Sequence, residues 1–167
     1  MSYFTLPEGV TPAASNAEIV GTLVPFPTIP NVTFTGSDPR ISDAVIAPLR
    51  RVAQEAEKLG YAIEVDSAYR CVAHQQAIWD VERPHYASDA EALIYVAAPG
   101  KSPHHTGGAI DIYLHDSAGK SSLHDETLAA LLQQLMLAQG WTRFRYENWH
   151  FEYGTPRWSK GPGTVQE

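Results

Sequence analysis

The sequence is poor in cysteine, and Cys71 is the single one among 167 residues. An intrachain disulfide is therefore excluded, and a metal is the only cross-link left that can stabilise the fold. Cys71 directly follows Arg70, so a thiolate nucleophile is one interpretation of this position. A buried cysteine at the start of a helix is the alternative, and it is the commoner role of an isolated cysteine.

Clusters of positive charge and long apolar runs are also absent. The chain carries 12 Lys and Arg residues against 19 Asp and Glu residues, which gives a formal net charge of −7. Because no basic patch stands out, nucleic acid and anionic membrane surfaces are poor candidate partners. The longest apolar runs, such as 92–98, are far shorter than the ~20 residues that cross a bilayer, so no membrane insertion is expected.

The first ten residues, MSYFTLPEGV, lack the basic segment and the apolar stretch of a signal peptide. They predict a cytoplasmic protein, or a periplasmic or extracellular one if a leader has been removed. The composition that is present, 44% hydrophobic and 19% charged residues, is ordinary for a soluble globular protein. A chain of 167 residues is expected to form one domain with a real core.

Proline divides the chain into an arm and a folded domain. Residues 1–40 contain six prolines, and they predict an irregular N-terminal arm with short extended pieces packed on the domain. Residues 41–158 form the predicted domain, and 159–167 (SKGPGTVQE) form a predicted flexible tail.

Hydrophobic periodicity, capping residues and glycine stops predict the elements of the domain. The last helix has an apolar stripe of leucines that is expected to extend to Ala138. The predicted helices are 42–59, 72–82, 88–96 and 125–139, and the predicted strands are 62–67, 109–114, 141–144 and 148–153. This order of elements predicts an α+β fold, in which three or four helices pack against a small antiparallel sheet.

The stretch 101–114, KSPHHTGGAIDIYL, combines a tight turn with a strand that carries an unusual carboxylate. His104 and Asp111 lie at either end of a Gly-Gly turn, and Asp111 is opposite the apolar face of strand 109–114. A buried carboxylate is costly unless a cation pairs with it, and the nearby imidazole indicates that this cation is a metal. A polar hairpin with a solvated aspartate is the alternative, and His105 competes with His104 for the role of ligand.

A second stretch, 146–153 (YENWHFEY), favours the metal. Its alternation predicts a strand with an aromatic core face that includes Trp149, and it places His150 on the opposite face. Glu147 precedes His150 by three residues, so we expect it on a turn or bulge where it leans over the same cavity. Two histidines, an aspartate and a free glutamate compose a zinc site with an open fourth position and a base beside it.

Three short motifs follow one another in the chain: S-A-Y-R at 67–70, S-x-H-x-x-G-x-A-x-D at 102–111 and E-x-W-H at 147–150. Together they resemble the zinc D-Ala-D-Ala peptidases, the carboxypeptidases and dipeptidases of vancomycin resistance, whose site is shared with lysostaphin-like peptidases and the hedgehog signalling domain. The resemblance covers about residues 32–158. It implies a hedgehog/D-Ala-D-Ala peptidase-like α+β fold, and it identifies 41–158 as a zinc peptidase domain with one Zn²⁺ per chain.

The resemblance also implies roles for individual residues. His104, Asp111 and His150 would ligate zinc, and Glu147 would be the base that activates the zinc-bound water. A zinc-bound water with a pKa of about 7 is acidic enough for a carboxylate to deprotonate it.

Three further residues match positions of the same motifs or lie close to them. Arg70 would steady the developing oxyanion, and a structural ion pair with Asp66 or Glu64 is its alternative role. Gln75 matches a family position near the substrate. Ser102 would bond the substrate or the adjacent backbone.

The implied function is hydrolysis of D-Ala-D-Ala-type bonds in peptidoglycan precursors or stem peptides. The partner would be a small peptide or a peptidoglycan stem peptide that ends in D-Ala. The block APGKSPHHTGGAIDI resembles the carboxypeptidases, whereas the ending GWTRFRYENWHFEYG resembles the dipeptidases, so both activities stay open. A hedgehog-like binding module without catalysis and an endolysin-type endopeptidase are the alternatives, and retention of Glu147 with Arg70 favours an enzyme.

Overall fold

The computed structural model describes residues 19–153 and, beyond them, the backbone of the short strand Thr164–Val165. Residues 1–18 of the predicted arm and the rest of the predicted tail lie outside the described residues. The helices are α1 (Ile46–Lys58), α2 (Val72–Glu82), α3 (Asp89–Tyr95) and α4 (Glu126–Ala138). The strands are β1 (Leu23–Pro25), β2 (Val32–Phe34), β3 (Arg40–Ser42), β4 (Ala62–Ser67), β5 (Ala109–His115), β6 (Trp141–Phe144), β7 (His150–Tyr153) and β8 (Thr164–Val165).

The predicted α+β fold with three or four helices is confirmed, with four helices present, and one edge of the sheet differs from the prediction. Six strands form the sheet in the order β2-β4-β5-β7-β6-β8, while β1 and β3 pair separately. All neighbours in the sheet are antiparallel except β2 and β4, which are parallel. These two strands are parallel because α1 lies between them in the sequence and carries the chain back to the end of the sheet at which β2 began. Part of the predicted arm thus supplies an edge strand.

The helix boundaries follow from the caps that the sequence predicts. Ser88 and Asp125 accept hydrogen bonds from Glu91 N and Leu128 N, at 3.1 and 3.0 Å. Ser42 instead caps a single 3₁₀ turn, and α1 begins at Ile46, so that Pro48 lies in its first turn, where no backbone donor is needed. Within residues 19–153, no helix is long and apolar enough to cross a membrane.

Helices α1 and α4 cover one face of the sheet and form the core with it. The apolar side chains of β5 (Ile110, Ile112 and Leu114) are fully buried on this face, as the alternation predicts. In α4 the predicted stripe is wrong at its end, because Met136 is buried and Ala138 is exposed. With the core on one face, the polar residues of β4, β5 and β7 are left to the other.

The register of the central strands brings the predicted site residues together. Asp111 of β5 lies opposite Ser67 of β4 on one side and opposite His150 of β7 on the other. Directly opposed residues of antiparallel strands have side chains on the same face and about 4.5–5.5 Å apart at Cβ. The sheet therefore presents Asp111 and His150 as neighbours on the face that α1 and α4 leave open.

Candidate active site

His104 reaches the open face of the sheet from the 3₁₀ turn Pro103–Thr106, just before β5. Gly107 ends this turn with a φ of 73°. A Cβ atom there would lie 3.0 Å from Ser42 N and 3.2 Å from Leu23 Cδ1, so the position requires glycine for conformation and for space. The tight turn folds His104 back over Asp111.

Three donor atoms converge on one point beside β5. His104 Nε2 lies 3.2 Å from Asp111 Oδ1, His150 Nδ1 lies 3.0 Å from the same oxygen, and the two nitrogens are 3.2 Å apart. In a tetrahedral zinc site with bonds of about 2.0–2.1 Å, neighbouring ligand atoms are about 3.3 Å apart. The observed triangle has the dimensions of one face of such a tetrahedron, and these three residues are a group that could hold a metal ion.

In each histidine, the ring nitrogen that lies outside the triangle has a hydrogen-bond partner. That partner favours a lone pair on the ring nitrogen inside the triangle. His104 Nδ1 lies 2.7 Å from the Ala68 carbonyl oxygen, to which it can only donate. His150 Nε2 lies 3.4 Å from Glu152 Oε1, on a carboxylate that is buried behind the ring. Such partners orient metal-binding imidazoles and fix their tautomer. The chemistry of this donor set therefore fits a zinc ion.

In the metal-free triangle, a proton on His150 balances the charge of Asp111. Burial lowers the pKa of His104 to about 4, against the attraction of Asp111, so this ring is neutral. Burial also opposes charge on His150, but its hydrogen bonds to Asp111 and Glu152 raise its pKa to about 10. Burial alone would raise the pKa of Asp111, and the two histidines hold it well below its usual range. Without a metal, the positive charge of the triangle therefore lies on His150, and zinc would have to displace that proton.

His105 is fully buried but faces away from the triangle. Its Nδ1 lies 2.5 Å from the Arg70 carbonyl oxygen, and its Nε2 accepts a hydrogen bond from Gly100 N at 3.1 Å. Both ring nitrogens are engaged with the backbone of neighbouring loops. The structure therefore brings His104, and not His105, together with Asp111 and His150.

Glu147 lies in the turn between β6 and β7 and lines the cavity above the triangle. Burial raises its pKa to about 7, and the nearby charge of His150 opposes that rise. It is not a member of the three-residue donor group. A carboxyl with this pKa beside a metal site can accept a proton near neutral pH and release it again.

Arg70 follows β4 and contacts the carboxylate oxygen of Asp111 that the two histidines do not contact. Its Nη2 donates to Asp111 Oδ2 at 3.2 Å and to Ser67 Oγ at 2.9 Å, and its Nη1 donates to Gln75 Oε1 at 3.0 Å. Among the described residues its ion-pair partner is Asp111, so the alternative pairing with Asp66 or Glu64 does not form. The guanidinium is held at the edge of the cavity by three bonds.

Gln75 and Ser102 both line the cavity and both bond the protein itself. The buried amide of Gln75 donates to the Ala97 carbonyl at 2.7 Å and accepts from Arg70, so it links Arg70 to the loop after α3. Ser102 Oγ accepts from His104 N at 3.3 Å, which is the contact with adjacent backbone that the motif implies. The direct contact of either residue with a substrate stays a prediction.

The cavity has a volume of about 400 Å³ and extends well beyond the triangle. Trp149 lines it, so the prediction that Trp149 belongs to the core face of a strand is wrong. The reason is that β7 begins only at His150, which leaves Trp149 in the preceding turn. Sequence reasoning also missed several cavity residues that belong to no motif and come from separate segments: Ile78, Glu82, Tyr86, Tyr95 and Tyr146.

Several solved structures are similar to the chain. The LD-carboxypeptidase LdcB, solved to explain peptidoglycan recognition, has a TM-score of 0.61 and 27% identity over 83% of this chain and 70% of its own. VanYB in complex with D-Ala-D-Ala has a TM-score of 0.57 and 25% identity over 78% of this chain and 82% of its own. A mutant of the vancomycin-resistance D,D-pentapeptidase VanY in complex with Zn(II) has a TM-score of 0.55 and 27% identity over 70% of this chain and 74% of its own.

Comparison with curated protein sequences gives no significant match. The family model of the VanY D-alanyl-D-alanine carboxypeptidases, by contrast, matches residues 38–156. This range is well over half of the chain, and it contains all three sequence motifs and the convergent donor triangle. The family resemblance of the motifs is thereby confirmed. The chain belongs to the VanY D-alanyl-D-alanine carboxypeptidase family of zinc peptidases.

Proposed function

We propose that this protein is a zinc-dependent D-alanyl-D-alanine carboxypeptidase that removes the terminal D-alanine from peptides of peptidoglycan or its precursors. The observation that carries the proposal is the triangle of His104 Nε2, Asp111 Oδ1 and His150 Nδ1, with Glu147 in the same cavity. A pure binding module needs neither a base nor a cation at the reaction centre, so Glu147 and Arg70 favour an enzyme.

The proposed mechanism assigns one task to each residue of the site. Zinc held by His104, Asp111 and His150 would supply a Lewis acid that polarises the scissile carbonyl and acidifies a water molecule. Glu147 accepts a proton from the attacking water and later passes it to the leaving amine. Negative charge develops on the carbonyl oxygen, and the Arg70 fork donates to it.

The size of the cavity favours a carboxypeptidase over a dipeptidase. Helix α2 lines the cavity from Gln75 to Glu82, a distance along the helix of about 10 Å at 1.5 Å per residue. The acyl part of a dipeptide is one residue, which spans only about 3.5 Å when extended. The remaining length can hold further residues of a stem peptide.

An L,D-carboxypeptidase is the second candidate, and the similarity to LdcB over 83% of the chain favours it. The two activities differ in the residue on the acyl side of the cut, which is a D-alanine in one case and an L-centre in the other. Both would use the same triangle, base and arginine.

One experiment separates these functions. The zinc-loaded protein is incubated with D-Ala-D-Ala, a stem pentapeptide that ends in D-Ala-D-Ala, its analogue that ends in L-Ala-L-Ala, a stem tetrapeptide and intact peptidoglycan, and products are identified by mass. We expect the pentapeptide to lose one D-alanine and the L-Ala analogue to stay intact. Loss of D-alanine from the tetrapeptide alone would establish the L,D activity, and cleavage of cross-links alone would establish an endopeptidase. No cleavage of any substrate would contradict an enzymatic function.

Arg70→Ala is expected to keep near-normal zinc content and to reduce kcat/KM by about 10²–10³, the usual effect of removing an oxyanion donor. Arg70→Lys keeps the charge but loses the fork, so we expect an intermediate rate. Arg51→Ala, which removes an exposed arginine on α1, is the matched control. Zinc content and kinetics are measured on each variant. Loss of zinc in proportion to the loss of rate would instead make Arg70 a support of Asp111.

The rate is also expected to depend on the charge of Glu147. Because the base works only as a carboxylate, kcat/KM should fall about tenfold per pH unit below its pKa and level off above it. The pKa of about 7 belongs to the metal-free site, and a bound cation lowers it, so the midpoint should lie at about 7 or below. Zinc content is measured at each pH, because protonation of the ligands releases metal. A limb centred well above 7 at constant zinc content would contradict the assignment.

A further inference from the structure

Arg70 lies in a segment that neither the sheet nor a helix holds in place. Residues 68–71 connect the end of β4 to the start of α2 and have no regular structure. Three of the five N–H groups of the guanidinium bond Asp111, Ser67 and Gln75, and Nε is buried without a hydrogen-bond partner among the described residues. One N–H on Nη1 therefore remains for the oxygen of a substrate, and a small displacement of Arg70 would take it out of reach.

Two consecutive histidines fix the backbone of this segment. His104 Nδ1 donates to the Ala68 carbonyl at 2.7 Å, and the His104 carbonyl accepts from Arg70 N at 3.2 Å. His105 Nδ1 donates to the Arg70 carbonyl at 2.5 Å. Both polar groups of the Arg70 backbone are thus bonded to the turn that carries His104, and His105 supplies the bond to the carbonyl.

The other ring nitrogen of His105 connects this contact to the loop after α3. Its Nε2 accepts from Gly100 N at 3.1 Å, so the ring carries its proton on Nδ1. Gly100 lies in a turn that is closed by a bond from Lys101 N to the Ala98 carbonyl at 2.9 Å. The ring is fully buried, and one donated and one accepted hydrogen bond fix its orientation.

The orientation of His105 excludes direct contact with a metal or a substrate at the donor triangle. Both ring nitrogens bond the backbone, and the residue is not among the described ones that line the cavity. The side chain can therefore influence the reaction only through its neighbours. Of its two hydrogen-bond partners, Arg70 is the one whose side chain reaches the reaction centre.

We propose that His105 is a positioning residue, whose bond to the Arg70 carbonyl sets the distance between the Arg70 guanidinium and the metal site. The oxyanion formed during hydrolysis lies between zinc and Arg70, so both must be held within about 0.5 Å of the productive geometry. The inference rests on the proposed function, because it concerns the rate of the reaction that Arg70 assists.

Two substitutions separate the two hydrogen bonds of the ring. The amide nitrogen of asparagine takes the place of Nδ1, so His105→Asn keeps the bond to the Arg70 carbonyl and loses the bond to Gly100 N. The amide oxygen of glutamine takes the place of Nε2, so His105→Gln keeps the bond to Gly100 N and loses the bond to the Arg70 carbonyl.

The two variants are expected to differ in kcat at equal zinc content. A misplacement of about 1 Å can cost 10²-fold in rate, so His105→Gln should lower kcat by about 10- to 100-fold. The contact of Arg70 strengthens in the transition state, so KM should change by less than about threefold, and His105→Asn should keep kcat within about threefold of the wild type. His124→Gln, the same change at an exposed histidine, is the matched control and should be unchanged.

The same substitution in Arg70→Ala protein shows whether the effect passes through Arg70. Because the losses of residues that act as one unit do not add, His105→Gln should lower the rate of Arg70→Ala protein by less than about twofold. A general structural role would give the full loss in both backgrounds, and an effect through His104 would lower the zinc content. Either result would overturn the proposal, as would equal rates of the asparagine and glutamine variants or a loss of more than about tenfold in His105→Asn.

Crystal structures of the zinc-loaded variants test the positioning apart from catalysis. In the wild type, Arg70 Nη2 lies 3.2 Å from Asp111 Oδ2. We expect His105→Asn to keep this contact and His105→Gln to lose it, with a shift of the Arg70 backbone of about 1 Å. A shifted Arg70 in a protein that cleaves no peptide would support the positioning and contradict the proposed function alone. An unshifted Arg70 in His105→Gln would overturn the positioning and leave the proposed function intact.

Discussion

Glu147→Gln is expected to reduce turnover by about 10² or more while zinc content and folding stay near normal, because the amide cannot accept the proton of the attacking water. The side chain lines the cavity beside the donor triangle but is not a member of it. Burial has already raised its pKa to about 7, so the neutral amide replaces a group that is partly protonated near neutrality. Turnover, zinc content and the melting temperature are measured on the same preparations.

Two other glutamate variants serve as comparisons for Glu147→Gln. Glu152→Gln weakens the hydrogen bond behind His150 Nε2, so it should lower zinc affinity by about 10–100-fold and recover activity in excess zinc. Glu57→Gln, which changes an exposed glutamate of α1, should leave both zinc content and turnover unchanged. If Glu147→Gln is as active as the wild type, Glu147 is not the base. If it loses zinc as a ligand variant does, Glu147 is a fourth ligand and no position is open for water.

His150→Ala and Asp111→Ala are expected to lose the metal and, with it, all activity that depends on zinc. Each substitution removes one corner of a triangle whose sides are 3.0–3.2 Å, and two remaining donors cannot complete a tetrahedral site. Asp111→Ala also leaves the partly buried Arg70 without its ion-pair partner, so it should unfold at a lower temperature than His150→Ala.

Melting curves with and without added zinc measure this loss directly. A metal that binds only the folded state stabilises it by about 2.7 kcal/mol at 100 times its Kd. For a domain of this size that corresponds to a rise in Tm of roughly 5–10 °C. Wild-type protein and the exposed control His85→Ala should show the rise, and the two ligand variants should not. A full zinc response in His150→Ala would remove that histidine from the site.

The elements that pack the core were predictable from local patterns. The observed bounds of α2, β4 and β6 coincide with the predicted ones. In β4 the alternation directly encodes which side chains face the core, and Ile63 and Val65 are buried as it predicts. The orientation of the β5 side chains follows from the same alternation, since a strand that buries Ile110 and Ile112 on one face must place Asp111 on the other face.

The failures arise where a residue's environment depends on chain segments far away in sequence. Nothing local to β2 shows that it pairs in parallel with β4 after the chain has passed through α1. Trp149 has the spacing of a core residue, but the strand begins one residue after it.

The candidate site likewise contains residues that could be predicted from local sequence and residues that could not. His104, Asp111, Glu147 and His150 were predictable because a metal site needs particular donors at particular spacings. Three tyrosines that line the cavity were not, because Tyr86, Tyr95 and Tyr146 come from three loops and helix ends with no shared motif. Catalytic chemistry constrains short motifs strongly, whereas the wall of a cavity is assembled only by the fold.

The central claim is that zinc binds at the convergence of the three donor atoms beside β5. A crystal structure of zinc-loaded protein, with anomalous scattering recorded on both sides of the zinc absorption edge, tests it most directly. The account predicts one zinc ion bonded to His104 Nε2, Asp111 Oδ1 and His150 Nδ1 at about 2.0–2.2 Å, with its fourth position open toward Glu147. An ion bonded to His105, an ion bonded to Glu147, or no ion at the triangle would contradict it.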